Sequence, residues 1–429
     1  MKSAIQIGAW CALALVVVFT VCCLFTTAAD RGDFRYRMAE IDCVKRGVDP
    51  FRIWNEEVVL PPYYSNNPAR KSIPDGCTEM VSVYLPWEYM LMMPFSFLDG
   101  DVAWLAYSAL SLIALCLLVP IAGYGVKRLV GEGFADVGLS AASALLVVCY
   151  PIWSNFLIGN HAVLMLFAAV LMAYFLSRCQ DIPAALCWMV LMSKPQVGLI
   201  FAVPLMMRMK VRVGVMAVVS CLLLSLPVVW MCRASLVDLI TEPAKASAFA
   251  FVGCGTWPRF LCGTFSQGGD ILAGTVIGTI ACLLMTWSLR RERDWFVFLM
   301  PAAVVSCCWT YTQSYSHAMG WFLAFVLVRE LVRNPQSRFL WTMMGLSVLF
   351  LSRWFLAWHG LCNFAGWRFP MSDYAYDCLN SLNSTASLVL AAVFCVWNGR
   401  RANVSSERVR FYFVDPICCS VPNAGVPFR

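Results

Sequence analysis

Long apolar runs alternate with short polar ones along this chain, and that alternation predicts helices that cross a bilayer. A spanning helix needs about 20 mostly apolar residues. The first run, Ile5–Thr27, follows Lys2. Its 23 residues exceed the ~7–15 of a signal-peptide core, although Thr-Ala-Ala-Asp after it leaves cleavage open as the other reading. Further runs are Val102–Val126, Val137–Trp153, Ala162–Ser177, Val213–Cys232, Ile271–Leu289, Trp295–Tyr311, Ala318–Val332, Phe339–Trp358 and Thr385–Asn398. The stretch Ile182–Met207 is interrupted by Lys194-Pro195. A helix ending at Ser193 would rise only about 18 Å, short of a ~30 Å hydrocarbon core. It reads as two half-helices that dip in and return, and the count comes to about twelve segments.

Composition agrees. Hydrophobic residues make up 60% of the 429 and charged residues 13%, with a mean hydropathy of +0.70. A soluble chain of this size could not bury so much apolar surface, so the fold class is an all-α polytopic membrane protein. The net charge of +7 matters less than its placement. Lys127/Arg128, Arg208/Lys210/Arg212, Arg290/Arg291/Arg293, Arg329/Arg333/Arg338 and Arg400-Arg401 all fall in alternate, short loops. By the positive-inside rule those loops and both termini are cytoplasmic. The longer loops, Ala28–Leu85, Arg233–Asp270 and His359–Ser384, then lie outside. No basic run resembles a nucleic-acid patch. His161, His317 and His359 have no metal-ligand spacing.

Each outside loop holds two cysteines: Cys43 and Cys77, Cys254 and Cys262, Cys362 and Cys378. An oxidising compartment would suit three intraloop disulfides; chance pairing in a chain with 21 cysteines is the competing reading.

Three polar features stand out. Asp33 follows the first apolar run and opens a stretch of helical periodicity (Phe34, Met38, Ile41). It reads as a helix cap or as a carboxylate at the membrane–water boundary able to meet a lipid and a soluble acceptor. Lys194 either snorkels from a short helix or lines a site, as broken membrane helices do. His317, in Thr310-Tyr-Thr-Gln-Ser-Tyr-Ser-His, is either a loop histidine or a third group on the side of Asp33 and Lys194. Asp99-Gly-Asp101 reads as a helix cap, and Trp87–Leu98 as a packed surface helix or a re-entrant wall.

In order along the chain, Asp33 with Tyr36, Gly47-Val-Asp-Pro-Phe, Tyr84-Leu-Pro with Pro94, Met192-Ser-Lys-Pro-Gln-Val-Gly-Leu and Ser314-Tyr-Ser-His317 resemble glycosyltransferase family 87. These are polyprenyl-phosphate-mannose-dependent mannosyltransferase-like members of the GT-C superfamily, and the likeness runs from about Asp33 to Leu331. Lys-Pro-Gln is its most specific piece. Gly159-Asn160-His161-Ala162 departs from the family's Gly-Gln-x-Asn, and Phe51 stands where Tyr is frequent.

The resemblance implies one catalytic domain over residues 1–398, with 28–100 as a first outside loop carrying surface helices, and a cytoplasmic tail over 399–429. It implies inverting transfer of a sugar, by default mannose, from a polyprenyl-phosphate donor to a glycan or glycolipid at the outer face of the plasma membrane. Asp33 would be the base. Lys194, His317, Tyr36, Arg37, Asn160, Gln196 and Tyr315 would serve the donor phosphate or sugar, with no metal or cofactor. Two other functions fit a polytopic chain: a lipid-linked glycan polymerase or flippase, and a secondary carrier. A carrier is commonly built from repeats with paired helix breaks, and Lys194-Pro195 has no counterpart near residue 400.

Overall fold

The computed structural model describes residues 32–47, 49–50, 84–122, 152, 155–156, 158–241, 269–307, 314–351 and 373–408. Among them every regular element is a helix. In chain order these are α1 (Gly32–Lys45), α2 (Pro86–Met92), α3 (Gly100–Ala122), α4 (Ala162–Ser177), α5 (Asp181–Leu191), α6 (Pro195–Gly198), α7 (Ala202–Met207), α8 (Val211–Cys232), α9 (Gly269–Ser288), α10 (Trp295–Val305), α11 (Trp321–Arg333), α12 (Arg338–Leu351) and α13 (Asp373–Arg408). Single 3-10 turns continue α2 (Met93–Phe97), join α6 to α7 (Leu199–Phe201) and precede α11 (Ser314–Gly320).

Among the described residues three stretches are long and apolar enough to cross a membrane: Gly100–Leu118, Val211–Cys232 and Leu382–Arg401. Shorter apolar helices accompany them. The expected run Ile5–Thr27, all of Val137–Trp153 but Ile152, most of the first loop, the tail beyond 408, Cys254 with Cys262, and the partners of Cys43 and Cys378 lie outside the described residues. The last helix passes residues 398 and 399 without a break.

Helix α8 shows why such helices face lipid. Val213, Ala217, Cys221, Ser225, Val228 and Cys232 recur at three- and four-residue spacing and are buried. Val215, Val218, Val219, Leu222, Leu223, Leu226 and Trp230 point outward and are exposed. Small and polar groups turned inward with large apolar ones outward reverse the soluble pattern and suit packing between membrane helices.

The core is built on α4 and α10. All eleven residues of α10 are buried, and α4 touches α3, α5 and α10. A second apolar group, Phe34, Ile41, Val44, Tyr89, Met92, Trp104, Tyr107 and Val228, ties α1 to α2, α3 and α8. The Phe34 ring lies 5.4 Å from Trp104 and 5.2 Å from Tyr107.

Two turns shape the path. Asp99 stands before α3 and its carbonyl accepts from Ala103 N (2.7 Å), beginning the helix. Between α5 and α6, Lys194 is extended (φ −112°, ψ 99°) and Pro195 opens the next helix. Proline has no N–H to offer the preceding turn, so one helix ends and another starts there. A Cβ on Gly198 would lie 2.7 Å from the Leu191 carbonyl, so only glycine lets α6 fold back this closely.

At the other end of α4 and α5 a set of charges closes the bundle. Asp294 caps α10 through Phe296 N (3.0 Å) and accepts from Arg329 Nη2 and Arg333 Nη2, both at 2.7 Å. Arg333 also pairs with Glu330. Arg401 lies 3.7 Å from Glu330 and donates to Asn334 Oδ1 (2.7 Å). Arg208 stacks on Trp295 and Phe298 and donates to the Glu292 carbonyl.

Candidate active site

The bend before α4 is where distant segments meet. Gly159 N and Asn160 N both donate to the Asn155 carbonyl, at 2.9 and 3.1 Å, and the Asn155 side chain accepts from Ala162 N at 2.9 Å. This turn requires Gly159 to adopt φ +76°. A Cβ there would sit 2.6 Å from Phe34 Cβ and from Trp104 Cζ3, so the glycine is needed for its backbone angle and for its lack of bulk. The bend thereby presses directly on the first turn of α1.

Two consecutive side chains leave this bend into two polar groups. Asn160, fully buried, donates from Nδ2 to Asp33 Oδ2 (2.6 Å) and accepts at Oδ1 from Lys194 Nζ (2.9 Å). A carboxylate from α1 and an ammonium from the α5–α6 break are thus held on opposite arms of one amide. Asp33 lies within the first turn of α1. Lys194 is 4% exposed, so its charge is turned into the protein.

His161 faces the second group. Its Nε2 is 2.5 Å from Glu88 Oε1, and its Nδ1 is 2.6 Å from Tyr107 Oη. Arg37 Nη1 approaches the same ring, at 2.7 Å from Nε2. Arg37 Nε stands 3.1 Å from Glu88 Oε1, and Nη2 donates to the Tyr84 hydroxyl. Tyr107 donates to the Asn160 carbonyl (2.8 Å), tying the two groups together. Both basic groups approach the Tyr84 ring: the Arg37 guanidinium is 3.9 Å from its centroid and Lys194 Nζ 5.9 Å. Arg37, Glu88 and Tyr107 are 1–2% exposed.

Of the residues singled out by sequence, the structure therefore brings together Asp33, Arg37, Asn160 and Lys194. Tyr36 and Gln196 are half-buried on α1 and α6. His317 is buried, with Nε2 3.4 Å from Ser384 Oγ of α13. Tyr315 sits on the same 3-10 turn, which touches α4. Glu88, His161 and Tyr107 were not singled out as site residues. Glu88 did leave a signal, as the one acidic residue in the apolar stretch Trp87–Leu98. Tyr107 lies in an apolar run with nothing local to mark it.

Chemically, the site offers a part-exposed carboxylate for proton removal and two buried basic side chains for an anion. Among the described residues no group of three His, Cys, Asp or Glu is placed to hold a metal ion.

Comparison with known proteins fits this geometry. No curated protein matches the chain. The sequence model of glycosyltransferase family 87 matches residues 83–312, more than half of it. That span contains Tyr84, Glu88, Tyr107, Asn160, His161 and Lys194, while Asp33 and Arg37 precede it and His317 follows it. The apolar helices and the match together make this a membrane enzyme that transfers a sugar, and the chain belongs to glycosyltransferase family 87, a GT-C type family.

Proposed function

We propose that the enzyme moves a sugar, mannose by family default, from a polyprenyl-phosphate donor to a glycan or glycolipid hydroxyl at the outer face of the plasma membrane. The observation that carries this is Asn160, which holds Asp33 and Lys194 on its two arms. Attack on the anomeric carbon needs the acceptor hydroxyl deprotonated as it attacks. Asp33 takes that proton. The acceptor oxygen bonds to the anomeric carbon from the face opposite the phosphate, and the carbon–oxygen bond to phosphate breaks with its electron pair leaving on the phosphate. One displacement inverts the anomeric centre.

The leaving group is already an acid anion. It needs charge stabilisation and no second carboxylic acid, unlike the paired carboxylates of glycosidases. Lys194 and Arg37, which both approach the Tyr84 ring and are buried, supply it where such charges act most strongly. Tyr36, Gln196, Tyr315 and His317 are carried as donor-side residues on the family pattern. The scheme calls for no divalent metal. The polyprenyl tail would lie against the apolar outer faces of the neighbouring helices.

The test uses the full chain in lipid nanodiscs with a short-chain polyprenyl-phosphate mannose and a panel of glycan acceptors. Release of polyprenyl phosphate is followed for wild type and Asp33→Asn. A positioned base contributes typically 10²–10⁴-fold, so release should fall by about that factor in the variant. Retained release in Asp33→Asn removes it from the base role. No release from any polyprenyl-phosphate sugar by wild type removes the donor class.

A further inference from the structure

Tyr107 takes no part in the scheme above, yet it ties both halves of the Asp33–Asn160 hydrogen bond to one helix. Asn160 commits every polar group it has. Its side chain donates to Asp33 Oδ2 (2.6 Å) and accepts from Lys194 Nζ (2.9 Å). Its backbone N–H goes to the Asn155 carbonyl (3.1 Å), and its own carbonyl accepts from Tyr107 Oη (2.8 Å). The two backbone bonds differ in what they anchor to. Asn155 belongs to the bend itself and travels with it. Tyr107 stands within α3, a helix of 23 residues, so its hydroxyl fixes the bend to a rigid element.

The ring of the same residue faces α1. It lies 5.2 Å from the ring of Phe34, which follows Asp33 in the chain, and 5.7 Å from that of Phe95. Trp104, one turn earlier on α3, packs edge-on against Phe34 at 5.4 Å. Helix α3 therefore places Asp33 through its neighbour Phe34 and places Asn160 through one hydroxyl. Tyr107 is 2% exposed, and its oxygen also lies 2.6 Å from His161 Nδ1, so the hydroxyl is held on two sides.

We infer that Tyr107 is a positioning residue for transfer: its hydroxyl holds the Asn160 amide at hydrogen-bonding distance from Asp33 and so sets how the carboxylate is turned toward the acceptor. The inference rests on the reading of Asp33 as the base and deepens it. Asp33 stands in the first turn of α1, where a carboxylate can rotate about its side-chain bonds until one of its oxygens is held. Asn160 holds Oδ2. Without the Tyr107 hydroxyl the carbonyl and the amide of Asn160 can shift together, and a misplacement of about 1 Å near the reacting atoms can cost on the order of 10²-fold in rate. The loss belongs to the chemical step. A hydroxyl that acted through His161 would differ, because that ring contacts Arg37 on the donor side and the loss would appear in the donor KM.

The test follows release of polyprenyl phosphate by the full chain in nanodiscs as the donor concentration is varied, per folded molecule. Tyr107→Phe keeps the ring against Phe34 and deletes the hydroxyl. Its kcat should fall by about tenfold to a hundredfold with the donor KM unchanged, the mark of an interaction felt in the transition state. Replacing Tyr107 by 4-aminophenylalanine puts a donor back in the same place and should recover most of the rate. Replacing it by 4-fluorophenylalanine fills that place without donating and should not. This pair is matched in size and answers the question even where Tyr107→Phe does not fold. In an Asn160→Ala background Tyr107→Phe should lower kcat no further, because the hydroxyl then has no amide to place.

Equal rates with the amino and fluoro residues overturn the inference. So does a loss confined to the donor KM, which assigns the hydroxyl to His161 and Arg37 instead. An undiminished loss in the Asn160→Ala background overturns it too. Each of these leaves the fall in Asp33→Asn, and with it the base reading, intact. Release retained in Asp33→Asn overturns the base reading, and the inference with it.

Discussion

Two clusters of buried charge, one at each end of α4, solve opposite problems. At the Asp294 end each charge meets its opposite directly: one carboxylate accepts from two guanidinia at 2.7 Å and caps a helix as well. Burial pushes the Asp294 carboxyl up, but Arg329 and Arg333 outweigh it and hold it below the usual range. Solvent reaches the rim, where Arg333 is 24% and Arg401 45% exposed. At the Asn160 end the basic side chains are deeper, and apart from Arg37 and Glu88, which stand 3.1 Å apart, the charges meet through intermediaries. An amide separates Asp33 from Lys194, Lys194 and Arg37 both approach one tyrosine ring, and an imidazole accompanies Glu88.

The contrast separates a clamp from a site. Direct pairing uses up the field of each charge and holds α10, α11 and α13 together. Spacing by neutral groups leaves the field available to a ligand, at a cost in stability, since buried ions without close partners are poorly solvated. Substitutions at the two ends should therefore act on different observables.

Beyond Asp33→Asn, the largest effect is expected from Lys194→Met. Loss of one preorganised cation should lower turnover by about 10²–10³-fold, with the unfolding temperature in detergent unchanged or raised because an ion is no longer buried. A large fall in that temperature would make Lys194 part of a clamp after all. Asp294→Asn should do the reverse. It keeps the cap but takes the shared carboxylate from Arg329 and Arg333, the latter keeping Glu330, at a cost of up to about 3–5 kcal/mol of stability, while turnover per folded molecule holds. The same carboxylate gives a pH dependence with a definite sign. Its stabilisation is complete above about pH 4, the ordinary carboxylate value, and is lost as the pH falls through the depressed one. Thermal unfolding of wild type and Asp294→Asn should thus converge in acid.

Gly159→Ala comes next. Crowding against Phe34 and Trp104 should cost about 1–3 kcal/mol, and because Asn160 moves with the bend, transfer should fall further than folding does. Equal losses in both would uncouple the bend from the catalytic groups. The smallest effect is expected from Arg401→Gln, within about 1 kcal/mol by unfolding temperature, since a half-exposed pair is screened by water.

Much of the framework could be read without coordinates. The apolar runs marked most of the helices now described, and Lys194-Pro195 marked the break, because a missing N–H ends a helix wherever it stands. Asp33 opening a helix, and Lys194 as a polar group worth attention, were likewise local signals. The pairing of Asn160 with both was not, although the family pattern had placed all three near one another.

What the sequence by itself determined was the apolar periodicity, the helix breaks and the individual candidates, all of which depend on neighbours a few residues apart. Only the tertiary structure decided which candidates share a site. His161 looked like one of three scattered histidines and Glu88 like an acid on a surface helix, yet they meet across 73 residues, and Arg37 reaches the same imidazole across 124. The physical reason is that their roles lie in hydrogen bonding and charge pairing between distant segments. Neither exists until the bend at Gly159 brings α1, α2, α3 and the Lys194 break within hydrogen-bonding distance of one another.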